Sequence, residues 1–141
     1  MVGVILFTLC IFIYGFILAT DVFAKAIPQA KGFFTQIDRF LDNGAVRVIF
    51  AVAGILIGIW NFFAPDFGAM YSPTIIGALI PSLLIIFDST VLYPNIIEML
   101  NIPKESKDQY YAFIEKFRGI AGIVTLAAAF LHILLFKQIL F

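Results

Sequence analysis

Asp88 closes a run of 21 residues without charge, 67–87, and the next charged residue, Glu98, is ten positions on. A carboxylate in so apolar a stretch either ends a helix at the interface or pairs with a cation as part of a functional site, because an unpaired charge away from water is costly. Arg47 and Arg118 are the candidate partners, since each precedes another long apolar segment at a similar depth. Asn61 and His132 lie 14 residues beyond these arginines, roughly 21 Å along a helix, where they could hydrogen-bond each other. Asp88, Arg47, Arg118, Asn61 and His132 together form a candidate intramembrane polar site.

The two segments that carry these groups also carry small residues at helical spacing. Ala51, Gly54 and Gly58 fall between Arg47 and Asn61, and Gly122, Thr125 and Ala129 fall between Arg118 and His132. Both series step by four, three, four and three. Small residues let helices approach closely where lipid supplies no hydrophobic drive. A mean step of 3.5 predicts a left-handed crossing. The expectation is that the two stripes pack against each other.

Other chemistry is scarce. His132 is the only histidine and Cys10 the only cysteine, so a bis-histidine haem site, a zinc site and a Cys-x-x-Cys pair are not expected. A serine triad would require His132 to reach a hydroxyl such as Ser82 at another depth. No phosphate-binding or dinucleotide fingerprint occurs. The expectation is a chain that is not an enzyme, with no catalytic residue, no metal and no cofactor.

The elements that hold these residues follow from composition. Of 141 residues, 62% are hydrophobic and 13% charged, with a mean hydropathy of +1.06. Soluble domains carry about 25% charged residues, so too little polar surface exists to coat a water-soluble globule. The formal net charge is zero, which argues against a nucleic-acid partner. Uncharged runs cover 1–20, 48–65, 67–87 and 119–136. Each approaches the roughly 20 residues that a hydrocarbon core requires of a helix. An all-α integral membrane protein with four transmembrane helices is expected. Pro73 suits a first helical turn, and Pro81 is expected to kink the third span near its middle. Trp60, Tyr14, Tyr71 and Tyr93 suit interfacial belts or packing.

Lysine and arginine set the orientation. Four lie between the first and second spans, four between the third and fourth, and none beside Asp66. The connections 21–47 and 88–118 are therefore expected in the cytoplasm, with both termini outside, in a bacterial inner membrane. Residues 1–20 lack a basic leader and a small-x-small cleavage site, and read as a retained helix.

The chain also resembles itself. FFTQIDRF at 33–40 lies over YYAFIEKF at 110–117, and the arginine-led stripes follow in each copy. Residues 1–68 and 69–141 read as two tandem helix pairs in a single membrane domain, entering from the same side. Each carries an amphipathic cytoplasmic segment whose apolar face is Phe33, Phe34, Ile37, Phe40 and Leu41 in the first copy. Asp42-Asn43-Gly44 should break the first copy; without such a break the second should run unbroken into its span.

The favoured reading is a non-enzymatic structural or accessory subunit of a larger membrane complex. Its partners would be the lipid bilayer and either other membrane subunits or further copies of itself. The alternatives are a small transporter or channel for an ion or small anion, and a lipid-binding membrane protein.

Overall fold

The computed structural model describes residues 1–69 and 78–137. Among them every regular element is helical. Helix α1 (Val2–Leu18) bends by 65° at Ala19 into the short α2 (Thr20–Ala26). After Pro28 come α3 (Lys31–Leu41) and α4 (Gly44–Phe63). A four-residue turn, α5 (Pro65–Gly68), follows. Helix α6 (Leu79–Leu92) is joined through a 3₁₀ segment, Pro94–Met99, to the 32-residue α7 (Lys104–Leu135).

Helices α4 and α7 are long and apolar enough to cross a membrane, and the bent pair α1–α2 makes a third candidate. Helix α6 has 14 described residues, about 21 Å. The first part of the expected third span, with Tyr71 and Pro73, lies outside the described residues. Pro81 falls in the first turn of α6 rather than at mid-helix. There its missing N–H has no intrahelical acceptor to lose, so it starts the helix and does not kink it.

The amphipathic segments differ as their sequences require. Asn43 caps α4 by accepting from the Ala45 amide at 3.0 Å, so α3 and α4 are separate helices. Nothing interrupts α7 at Arg118. On α3 the apolar face divides: Phe34 and Leu41 are buried, whereas Phe33 and Phe40 stay exposed. The Thr20 hydroxyl donates to Asp38 at 2.8 Å and ties α3 to the bend below α1.

The small-residue stripes do not meet each other. The main interfaces are α1 with α7 and α4 with α6, and both are antiparallel. A methyl group on Gly122 would lie 2.5 Å from the Ala19 nitrogen and 2.6 Å from the Gly15 carbonyl oxygen. One on Gly54 would strike Ser89 Oγ and the Tyr14 ring. Each stripe thus closes on a helix with small residues of its own, Gly15 and Ala19 on α1 or Ser82 and Ser89 on α6. Matched small surfaces bring two backbones together more fully than one stripe facing the other across the bundle.

Candidate functional site: a buried polar column

Three groups of polar side chains lie at successive levels of the bundle. The first is at the His132 end. Asp66 and Phe67 have left-handed backbones (φ 52° and 56°), and Gly68 follows at φ 80°. Asp tolerates this conformation, but a Phe in it costs about 1–3 kcal/mol and needs support. Asn61 supplies that support. Its Oδ1 accepts from the Phe67 amide at 3.0 Å, while its Nδ2 donates to the Ile57 carbonyl at 2.9 Å. The turn aims Asp66 inward, where Oδ1 lies 2.6 Å from His132 Nε2, both side chains being wholly buried. Phe7 packs edge-on against the imidazole with centroids 5.4 Å apart. A methyl on Gly3 would strike the Asp66 carbonyl, so α1 closes the group from the other side.

Asn61 and His132 therefore do not bond to each other, as the stripe had suggested. Each serves the same turn: one holds its backbone and the other its carboxylate. Asp66 is the residue that sequence reasoning passed over. Its signal was present, because it is the lone charge between Arg47 and Asp88 and sits at the level of the only histidine.

The second group lies at mid-bundle, and all four long helices contribute. Asp88 and Ser89 come from α6, Thr125 from α7, Tyr14 from α1, and the gap at Gly54 from α4. The Tyr14 hydroxyl donates to the Phe50 carbonyl at 2.5 Å, and the Ser89 hydroxyl to the Ile85 carbonyl at 2.6 Å. Asp88 is wholly buried, and among the described residues neither of its oxygens has a hydrogen-bond partner. Thr125 stands beside it, outside hydrogen-bonding geometry, its own hydroxyl also unpartnered.

The third group surrounds a cavity of about 350 Å³ at the arginine end, lined by Asp21, Leu41, Arg47, Leu92, Glu115 and Arg118 among others. Both arginines thus reach one site, but neither pairs with Asp88. Arg47 donates to the Leu41 carbonyl at 2.5 Å and to Asp42 Oδ1 at 2.6 Å, and Arg118 Nη2 is 3.9 Å from Asp38. The reason is proximity in water: each guanidinium finds an acid on α3 or its joint without leaving the solvated end, and Asp88 lies one turn deeper than Val91 and Leu92, which also line the cavity. At the rim, Lys107 and Tyr111 bind the two carboxylate oxygens of Glu98, at 2.9 and 3.0 Å. The Lys107 hydrogen bond, and then that of Tyr111, holds the Glu98 carboxyl below its ordinary value.

Among the described residues no cluster of three or more His, Cys, Asp or Glu side chains could hold a metal ion. Residues 4–132, from the first turn of α1 to the histidine of the outer group, match a protein family of unknown function. The chain belongs to that family. No curated protein and no solved structure matches it. All three levels of the column fall inside the matched span, as do both main helix interfaces.

Proposed function

We propose that this chain is a four-span inner-membrane protein that serves as a non-enzymatic structural or accessory subunit of a larger membrane assembly. The observation that carries this reading is the outward face of α4. Ile49, Val52, Leu56, Trp60 and Phe63 are all exposed, on the side opposite the stripe that packs on α6. Ile120, Val124, Phe130 and Leu134 continue the same character on α7. So much apolar surface suits lipid and neighbouring subunits.

The tandem-repeat reading is part of the proposal. A rotation that carries α1 onto α6 and α4 onto α7 turns the α1–α7 interface into the α6–α4 interface, and these are the two main interfaces. Both connections would face the cytoplasm and both termini the outside, as the lysines and arginines require. Isolation of the chain from its native membrane in mild detergent tests the assembly reading. Co-purification with fixed stoichiometry supports it, and a chain that always runs as a monomer rejects it.

One observation favours a second reading, a small ion transporter: Asp88 is buried without a hydrogen-bond partner among the described residues, one turn of α6 from the cavity that holds Arg47 and Arg118. Flux in proteoliposomes that is lost in Asp88→Asn would select it over the first.

A further inference from the structure

Two carboxylates are wholly buried among the described residues, and the protein treats them differently. Asp66 has an imidazole at 2.6 Å. Among the described residues, Asp88 has no basic group within ion-pair distance and no hydrogen-bond partner for either oxygen. We infer that Asp88, together with Thr125, is the binding site of one small monovalent cation, a proton or Na⁺, which enters and leaves through the cavity above it.

The surroundings specify that chemistry. The polar group beside Asp88 is the Thr125 hydroxyl on α7, and the hydroxyls of Tyr14 and Ser89 meet at Gly54 on the same level of the bundle. Tyr14 is the titratable group that faces it, and Tyr14 donates its proton to the Phe50 carbonyl. Helix α4 presents Gly54 and carries no titratable side chain between Arg47 and Asn61. On α7, Arg118 and His132 each stand seven residues from Thr125, the first turned towards Asp38 and the second held by Asp66. A carboxylate there must be neutralised by something other than a side chain. Oxygen ligands alone suit a proton or a hard cation, and exclude a soft one.

Access comes from the arginine end. Val91 and Leu92 line the 350 Å³ cavity and stand three and four residues after Asp88 on the same helical face. One turn of α6 therefore separates the site from solvent. This inference is independent of the assembly reading, and it gives the transport reading its coupling group. A subunit that runs alone would reject the former without touching it.

The test uses the intact chain, folded in detergent and treated with dicyclohexylcarbodiimide. This reagent adds to a protonated carboxyl in apolar surroundings, the acid O–H adding across its C=N bond. Peptide mass mapping reads the site of modification. Asp88 is expected to be modified, several-fold faster as the pH falls. Replacing K⁺ by Na⁺ at fixed pH separates the two ligands: slower labelling assigns Na⁺, and unchanged labelling assigns the proton. Thr125→Val should shift the pH or Na⁺ dependence, whereas Thr8→Val, which removes another unpartnered hydroxyl, should not. The inference is overturned if Asp88 in the wild-type chain stays unmodified at every pH, or is labelled at a rate indifferent to both pH and Na⁺.

Discussion

Gly122 on α7 faces Gly15 on α1 so closely that a methyl group on the former would stand 2.6 Å from the carbonyl oxygen of the latter. The atoms in the way are backbone, which cannot step aside as a flexible side chain does. Gly122→Ala should separate the two helices and cost about 1–3 kcal/mol. Gly32→Ala provides the contrast: nothing lies within 4 Å of a methyl there, so the better helix former should stabilise α3 by up to about 1 kcal/mol. Thermal unfolding of both variants in one detergent checks the pair.

The Asp66–His132 contact should be worth more intact than either half alone. Asp66→Ala leaves the imidazole buried without its acceptor and is expected to cost about 3 kcal/mol. His132→Gln, which keeps a donor, should lose less. Denaturation of both variants in mixed micelles checks the order, and equal losses would refute it.

The α3–α4 joint depends on Asn43. Replacing this cap by Ala removes the acceptor of the Ala45 amide and should cost about 1 kcal/mol. Faster amide exchange in the first turn of α4, with α7 unaffected, is the expected sign.

Glu98 makes the connection before α7 sensitive to acid. Its carboxyl is held down chiefly by Lys107, so the folded connection binds fewer protons than the unfolded one. The stabilisation is fully present above the ordinary carboxylate value of 4.5 and disappears as the pH falls from there through the lower folded value. Limited proteolysis across that range should show cleavage near Pro94–Met99 increasing with acidity. Glu98→Gln should abolish the pH dependence while leaving the bundle intact.

The orientation is testable with single cysteines in a Cys10→Ala background. A thiol at position 108 should react with an impermeant reagent only after cells are opened, and one at position 67 should react in intact cells. The reverse pattern would invert the topology.

Much of this architecture is local, and local features were readable. Asp42-Asn43-Gly44 marks the α3–α4 break by its own chemistry, and the absence of such residues before Arg118 foretells the unbroken α7. Periodicity gathers Phe33, Phe34, Ile37, Phe40 and Leu41 on one face of α3, but which of them are buried, Phe34 and Leu41, depends on the packing beneath. The column is a different matter. Which stripe faces which helix depends on how four helices are arranged in cross-section, and spacing along one helix carries no information about that. Arg47 and Arg118 line one cavity, and their partners come from α3 and its joint rather than from Asp88. The His132–Asp66 contact needed a left-handed Phe at position 67, a conformation that the residue type argues against. Only the cap from Asn61 makes it tenable, and that cap was itself assigned to another role.

Helix α7 is about 48 Å long with no hinge. Its tightest point, Gly122 against Gly15, lies about 27 Å from Lys104 and 15 Å from His132. Its contact with α1 runs from Gly122 at Gly15 to His132 at Phe7, so the charged half and the histidine belong to one continuous rod. Whatever grips the charged end of this rod therefore holds the same unbroken element that carries the histidine.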